Sequence, residues 1–469
     1  MVSVFKKHNQ HPPRSPLMSQ AKTSPNDLIL SLQSVLYKPC RYYFETILFG
    51  SLLTVGCITS WILAGSQDKR YKKVYRFIAR IGEQVDKIQY ELLLWLLESS
   101  RLFPVELPIE LVIDDSPIKR YGRKVEGAGR MHDPTNPHCR NATCYGHSLV
   151  TIGMIAVHPL FGRICLPVGW KFYVNENKLE TIDEKIRPQF KTKPEIAAEL
   201  LKRIVPEIQK TDRKVEILFD RGYLAADLFQ TIHELGAVAV TRFKKNNNLY
   251  KEPERPAVPR RGRPRKYGRS FKYTDLIARY EGRMQRAVIE CYGREDRVEF
   301  CSCVATSKMT DGRLVKVVVS RLIRKNRNNG EVYSDWGLFI STDLSLTPEE
   351  IIQRYSRRFS IEEMFKELKE TCGLGRQRTR KFESSLACVT FVALSYVYAE
   401  LLTWNVSHEE LVKGRPAWDK KERRPSHKNK RDYCRARFLP SLIKQRLKGA
   451  IPTKKIDEII RLIGIHNAA

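Results

Sequence analysis

Four residues along one stretch of the chain combine a carboxylate with two cations and a phenol. Tyr355, Arg358, Glu362 and Lys369 lie at offsets of three, seven and fourteen residues, and at about 3.6 residues per turn these positions return close to one stripe of a single helix. A carboxylate oxygen binds divalent metals and the cations bind phosphate, so the pattern favours metal-assisted phosphoryl chemistry on nucleic acid. The alternative is a surface helix crossed by ion pairs such as Glu362 with Lys366.

Two further acids end apolar stretches that are typical of strands. Asp115 closes the run at 110–115 and is followed by Ser116, and Asp220 closes the run at 215–220. The carboxyl ends of parallel strands form the functional edge of an open α/β sheet, so both acids are placed for chemistry. For either residue alone, a turn or a helix cap is the favoured explanation. Together with Glu362 they form a more specific pattern.

The charge of the chain indicates its partner. The 469 residues include 83 Lys and Arg against 52 Asp and Glu, a formal net charge of +31. A charge of this size favours a polyanion over an acidic small molecule, with nucleic acid as the first candidate and an anionic membrane surface as the second. With 42% hydrophobic residues the chain can bury a core, and its length predicts about two to four structural units.

The order of predicted elements indicates an α/β fold with a mixed sheet, preceded by an all-helical unit. After Pro104 the pattern changes from helical to strand-like. The predicted strands are 110–115, 148–157, 163–173, 215–220 and 237–243, with helices at 194–210 and about 223–235. The predicted divisions are a disordered segment at 1–26, a helical domain at 27–104, a first part of the core at 105–244, a β-rich insertion at 245–342, a second part of the core at 343–405 and a basic C-terminal region at 406–469.

One segment, 46–65, raises the question of a membrane. It is uncharged and nearly long enough to span a bilayer. However, Gly50 and Gly56 interrupt it, and a basic stretch follows it at once. We therefore expect a buried helix pair with a turn near Gly56, similar to a helix-turn-helix, and no membrane partner.

The cysteines and histidines do not form a recognisable metal site. The eleven cysteines are scattered without a regular framework, which favours a reducing cytoplasm. His138, Cys139, Cys144 and His147 lie close together, but their spacing fits no common zinc module. We take these histidines, like His132, as structural or unassigned.

With these residues in view, the chain resembles a DDE transposase of bacterial insertion sequences, in the branch with the Y-x2-R-x3-E-x6-K signature. The four residues from Tyr355 onward match that spacing without a gap. The first acid of the family is typically followed by Thr or Ser, which favours Asp115 over Asp114. The second typically lies in a strand-end D-R, matched by Asp220. The third is then Glu362, and the resemblance implies an RNase H-like catalytic core interrupted by the β-rich insertion.

The resemblance also implies the chemistry of the site. The three acids, Asp115, Asp220 and Glu362, would be catalytic and would hold two Mg²⁺ ions about 3.5–4 Å apart, with Mn²⁺ as a possible substitute. The expected contacts to phosphates near the DNA end are Tyr355, Arg358 and Lys369. Arginine offers phosphate a fork of donors, lysine a point charge and tyrosine a hydroxyl.

Two other DNA contacts are expected. Trp336 stands where the same family has a Trp that stacks on a base flipped out of the duplex end, a contact of about 1–3 kcal/mol. The alternative is a Trp packed within the insertion. The sequence RRGRPRK at 260–266 resembles an AT-hook, which lies along the minor groove of A·T-rich DNA; a basic loop that neutralises phosphate is an equal alternative. Its cations are Arg261, Arg263, Arg265 and Lys266.

As a whole, the resemblance implies a transposase that binds the inverted ends of its element, cuts the 3′ strands and joins them to target DNA. The helical unit at 27–104 would recognise the ends, two chains would pair when the ends are brought together, and the protein would act in the cytoplasm on a bacterial chromosome or plasmid. The alternative functions are those of a nuclease with the same core but no strand transfer, a non-catalytic DNA-binding protein derived from such an enzyme, and a basic membrane-associated protein.

Overall fold

In a computed structural model of the chain, the described residues are 24–65, 71–122, 124–133, 142–253, 265–325, 330–413 and 424–447. The helices are α1 (Pro25–Ser34), α2 (Lys38–Leu53), α3 (Ile58–Ala64), α4 (Tyr71–Gly82), α5 (Val85–Glu98), α6 (Lys193–Gln209), α7 (Ala226–Glu234), α8 (Tyr273–Arg279), α9 (Pro348–Arg357), α10 (Phe359–Glu370), α11 (Phe382–Leu402), α12 (His408–Val412) and α13 (His427–Leu447). The strands are β1 (Ile109–Lys119), β2 (Gly129–His132), β3 (Thr143–His158), β4 (Gly162–Tyr173), β5 (Val215–Phe219), β6 (Val238–Arg242), β7 (Leu249–Tyr250), β8 (Ser270–Phe271), β9 (Gln285–Cys291), β10 (Arg294–Thr306), β11 (Leu314–Lys325), β12 (Glu331–Tyr333) and β13 (Gly337–Ser341). Most of the segment predicted to be disordered, 1–26, lies outside the described residues.

The described residues from Ser24 to β1 are mainly helical, as predicted for 27–104. Helices α2 and α3 are separated by a short break after Leu53 and are bent by 105° from one another, which confirms the helix pair expected at 46–65. Gly50 permits the close approach of the two helices, because a Cβ at that position would collide with the backbone carbonyl of Trp61.

Helix α11 is the core helix around which the N-terminal helices pack. Helices α2 and α4 contact it most extensively, and α1, α5 and α13 also contact it. It is long and apolar enough to cross a bilayer by length and composition, but 89% of its most apolar window is buried inside the fold. A helix that is apolar on all sides and enclosed by protein is typical of a domain core. The core of the helical unit is therefore continuous with that of the α/β unit.

The central sheet is mixed, which confirms the predicted α/β class. Its order is β2-β3-β1-β5-β6-β13-β11-β10-β7-β8, with β4 beside β3, β9 beside β10 and β12 beside β11. Strand β1 pairs antiparallel with β3 and parallel with β5, which pairs parallel with β6. The β-rich insertion extends this sheet, because its last strand, β13, pairs antiparallel with β6.

Helices cover both faces of the core sheet. Helix α6 packs on β3, β4 and β5, whereas α10 packs on β4 and β1 from the other side. At Gly153 of β3, a Cβ would lie 3.8 Å from Ile361 of α10. Gly153 is the register partner of Val112 in β1, so the side chains at even positions of β1 face α10.

The prediction of a single helix from Tyr355 to Lys369 is wrong, because the segment forms two helices that meet at Arg358. Helix α9 begins after the N-cap Thr347, whose side chain forms a capping box with Glu350. At the junction the backbone bonds tighten: the Arg358 N–H donates to the Tyr355 carbonyl at 3.1 Å and the Ile361 N–H donates to the Arg358 carbonyl at 3.1 Å. Such three-residue bonds interrupt the regular ladder, so Tyr355 belongs to α9 while Glu362 and Lys369 belong to α10.

Candidate active site

Two acids lie side by side where the parallel pairing of β1 with β5 stops, midway along β1 and at the carboxyl end of β5. The last register pair of these parallel strands is Ile113 with Phe219, so the next residues along each strand are Asp114 and Asp220. Side chains at matching positions of neighbouring strands point to the same face of the sheet. The acid of β1 that neighbours Asp220 on this face is thus Asp114.

Arg358 connects the acid of β1 to the acid of α10. One guanidinium nitrogen donates to Asp114 Oδ2 at 3.0 Å, and the other donates to Glu362. The junction between α9 and α10 places this guanidinium over the middle of β1. Asp114, Arg358 and Glu362 therefore form one connected group on the face of the sheet that α10 covers.

The Asp114 carboxyl titrates abnormally. Burial raises its pKa to about 6 from the usual 3.8, the Arg358 charge opposes that rise, and the negative charges of Asp115 and Glu362 add to it. A carboxyl whose pKa is raised by burial beside other acids is typical of functional sites.

Asp220 is held by the tyrosine of α9. The Tyr355 hydroxyl donates to Asp220 Oδ1 at 3.2 Å. The Tyr355 ring is buried, and its centroid lies 5.0 Å from that of Phe339 in β13. Burial raises the pKa of this phenol, so it stays protonated and acts as a donor. The last insertion strand thus helps to orient the tyrosine that contacts Asp220.

Asp115 points to the opposite face of β1. Its carboxylate accepts hydrogen bonds from Lys193 Nζ at 2.5 Å, from Ser148 Oγ at 2.9 Å and from the Tyr223 hydroxyl at 3.2 Å. Lys193 begins α6, on the side away from α10, and its ammonium lies 5.7 Å from the centre of the Tyr173 ring. Asp115 therefore joins β1 to α6 and to the turn that follows Asp220.

Two buried acids beneath the site were missed by sequence reasoning. Glu110 and Glu216 are register partners in β1 and β5, only 5% and 4% exposed. Arg357 pairs with Glu110 and Arg354 pairs with Glu216. Since both arginines belong to α9, these pairs fix that helix on the sheet. The signal was present in the sequence, because a glutamate stands four residues before Asp114 and four residues before Asp220.

Lys369 lies apart from the connected acids. Burial lowers the pKa of its ammonium, and the positive charge of nearby Lys119 lowers it further. Lys119, at the end of β1, pairs with Asp133 at 2.7 Å. The structure thus brings Lys369 to the far end of β1, beyond the acids at its centre.

Trp336 directly precedes β13, at the start of the last insertion strand as expected. It is partly buried, and the guanidinium carbon of Arg321 lies 4.3 Å from the centre of its ring and 3.9 Å from that of Tyr333. Arg321 also pairs with Glu299. An arginine therefore already stacks on Trp336.

The AT-hook-like sequence falls mostly outside the described residues. Arg261 and Arg263 belong to the part that is not described, whereas Arg265 and Lys266 are exposed. Lys266 pairs with Asp311, so this cation already has a carboxylate partner.

His147 serves the fold. Its ring is fully buried; Nε2 lies 2.9 Å from the Glu126 carbonyl, and Nδ1 accepts from Arg120 Nε at 3.3 Å. Burial, aided by the Arg120 charge, lowers the pKa of His147 to about 4. The ring is therefore neutral at neutral pH. Of the zinc candidates, His138 and Cys139 lie outside the described residues.

The acids at this edge have the donor chemistry for a divalent ion. Within the described parts of the chain, no three His, Cys, Asp or Glu side chains form a group that could hold a metal. Asp114 and Glu362, however, both bond to the Arg358 guanidinium, so a cation already lies between two carboxylates. Carboxylate oxygens of this kind suit a hard divalent ion such as Mg²⁺.

The comparison with known families agrees with this chemistry. A family model described as DDE superfamily endonuclease matches residues 43–297, more than half of the chain. The matched stretch contains Asp114, Asp115 and Asp220 and ends before Glu362. No curated protein matches the sequence.

Proposed function

The chain belongs to the DDE superfamily endonucleases, and from that premise we propose that it is the transposase of an insertion sequence. It binds the terminal inverted repeats of its element, cleaves there and joins the freed 3′ ends to target DNA. Enzymes of this family cut DNA and generally use divalent metals. The observation that carries the proposal is the group in which Arg358 links Asp114 to Glu362 beside Asp220.

Within this proposal the metal-binding acids are Asp114, Asp220 and Glu362. The register of β1 with β5 and the contacts of Arg358 support Asp114 as the acid of β1, whereas the motif supports Asp115 because a serine follows it. Asp115 has a supporting role in this scheme, because it holds the turn after Asp220 through Tyr223. The paired substitutions Asp114→Asn and Asp115→Asn separate the two assignments.

The side chains around the acids prepare the site for a phosphodiester. Two Mg²⁺ ions, or Mn²⁺ in their place, supply Lewis acidity to the scissile phosphate when bound. Arg358, released from the two carboxylates, turns its donors to phosphate oxygens, which it can contact in pairs. Tyr355 orients Asp220 through its hydroxyl. Lys369 of α10, which lies near the end of β1, contacts the DNA backbone farther from the cut.

The helical unit at the N-terminus recognises the element's ends in this proposal. Helix α4 carries exposed cations on the face opposite its buried side: Lys72, Lys73, Arg76 and Arg80. A basic helix face of this kind fits the phosphates that border a groove. Replacing these residues should reduce the preference for end-containing DNA over unrelated DNA.

The test is a cleavage and joining assay. The purified chain is incubated with Mg²⁺, a labelled duplex that carries the element's terminal repeat and a target plasmid, with Glu362→Gln as the inactive control. The proposal predicts nicks at the repeat and joined products, both lost in the control. Cleavage without joined products favours the simpler endonuclease that the family description names. Binding with neither product contradicts catalysis and favours a non-catalytic DNA-binding protein.

A further inference from the structure

An extended segment directly after α10 displays an arginine at every second position. Residues 375–381, here called the arginine segment, have no regular secondary structure. Arg376, Arg378 and Arg380 are exposed, while Gln377 and Thr379 between them are only 2% and 8% exposed. This alternation is typical of an extended chain with one face on the protein and the other in solvent.

The buried residues fix the backbone of the arginine segment. The Gln377 side chain donates to the carbonyls of Gly373 at 2.9 Å and Gly56 at 3.2 Å. The backbone carbonyl of Gln377 accepts from the buried Arg120 guanidinium at 2.6 Å. Thr379 Oγ1 lies 2.7 Å from Ser385 Oγ at the start of α11. The arginines are thus presented from a backbone that is already ordered, which reduces the entropic cost of binding.

The arginine segment lies between the far end of β1 and the N-terminal helices. Gly375 has a φ of +92°, and a Cβ there would lie 3.2 Å from Ile118 and 3.7 Å from the Lys119 carbonyl, both near the end of β1. The opposite contact, from Gln377 to Gly56, reaches the turn between α2 and α3. The segment therefore adjoins the strand of Asp114 on one side and the helical unit on the other.

The three arginines are available for an external anion. Among the described residues none of them has a carboxylate partner, although the next cation, Lys381, pairs with Glu126 at 2.9 Å. Two residues of extended chain span about 6.6–7 Å, so the guanidinium groups follow one another in a row. Such a row suits the regular charges of a phosphodiester backbone.

We propose that the arginine segment binds the backbone of one DNA strand between the acid site and the N-terminal helices. Arg376, Arg378 and Arg380 each contact phosphate, and none of them reads a base, so the contact is independent of sequence. The inference rests on the proposed function, in that the strand held here is the strand delivered to Asp114, Asp220 and Glu362.

The test compares the full-length wild type with two triple alanine variants by the salt dependence of DNA affinity. One variant replaces Arg376, Arg378 and Arg380. The control replaces three exposed lysines on α5, on α6 and just before β5, with the same loss of charge: Lys87, Lys202 and Lys214. The logarithm of the DNA-binding constant falls linearly with the logarithm of the salt concentration, and each lost phosphate contact makes this slope less steep by about 0.9. The arginine variant should therefore lose about 2.7 units of slope, and between about 50 and 200 mM salt its affinity should fall about 40-fold less than that of the wild type.

Two further measurements separate a true contact from a damaged fold. The arginine variant should retain the thermal unfolding of the wild type, since its altered side chains are exposed. Replacing the same three arginines with lysine should restore most of the slope, because the charge is kept. Two results would overturn the inference. One is a wild-type slope in the variant whose three arginines are replaced with alanine. The other is an equal loss of slope in the control whose three exposed lysines are replaced with alanine.

The outcome is distinguishable from that of the proposed function. If the wild type binds DNA but never cuts it, the function is wrong, while a slope lost only in the arginine variant still supports this contact. If the wild type cuts DNA and the arginine variant binds with an unchanged slope, the contact is wrong and the function stands.

Discussion

Replacing Asp114 with asparagine should stabilise the metal-free protein at neutral pH while removing a proposed metal ligand. The carboxyl lies midway along β1, and its side chain is 21% exposed. Burial and the neighbouring acids hold its pKa at about 6, against the usual 3.8, in spite of the opposing charge of Arg358. The ionised carboxylate is thus a strained feature of the folded state, and asparagine removes the charge while keeping the shape.

The magnitude follows from the shift in pKa. A difference between 3.8 and about 6 corresponds to about 3 kcal/mol at about 1.36 kcal/mol per unit. Because the folded state binds this proton more tightly than the unfolded state, ionisation costs stability as the pH rises from about 4 to about 6, and the full cost is present above about 6. The free energy of unfolding of Asp114→Asn minus that of the wild type should therefore grow from near zero at low pH to about 3 kcal/mol at neutral pH.

The assay is urea denaturation of both proteins at several pH values, with a chelator to remove divalent ions. Arg358→Gln provides a second check. This substitution removes the charge that lowers the Asp114 pKa, so in that background the stability difference between the asparagine variant and its parent should keep growing to higher pH. A stability difference that stays constant across this pH range would refute the reasoning, whatever its size.

Three other predictions follow from particular contacts. Arg354→Ala leaves Glu216 buried without its partner, and it should lower the free energy of unfolding by about 3–5 kcal/mol; a loss below about 1 kcal/mol in urea titrations would argue against a structural ion pair. Lys430→Ala removes one of the cations that hold buried Glu400, so α13 should become the first site of limited proteolysis, and an unchanged digestion pattern would contradict this. If Trp336 stacks on an extruded base, Trp336→Ala should alter 2-aminopurine fluorescence at the element's terminal bases, and an identical signal would exclude that role.

Much of the fold could be predicted from the sequence because local patterns were consistent. The strand predicted at 215–220 became β5, and the segment at 46–65 forms the expected bent helix pair. The strand predicted at 110–115 is only the first part of β1, which continues to Lys119, so the prediction that Asp115 ends a strand was wrong. Runs of apolar residues determined the strands, and glycine marked the break between the two helices. The class of the fold followed from the order of those elements.

The parts that escaped prediction depend on pairing between distant segments. No local signal fixes the register of β1 with β5, yet this register decides that Asp114 and not Asp115 lies beside Asp220. Likewise, no local signal in the sequence marked the break at Arg358, whose guanidinium contacts two acids that are far apart in the chain. The continuity of the insertion with the core sheet depends on the pairing of β13 with β6, which are far apart in the chain.

The central claim is that Asp114, rather than Asp115, shares the site with Asp220 and Glu362. The measurement that tests this is the rate of Mg²⁺-dependent nicking of end-containing DNA by Asp114→Asn and Asp115→Asn, at protein concentrations that saturate the DNA. We predict that the Asp114 variant loses nicking while still binding DNA, and that the Asp115 variant keeps measurable activity. Full activity in the Asp114 variant together with none in the Asp115 variant would contradict it.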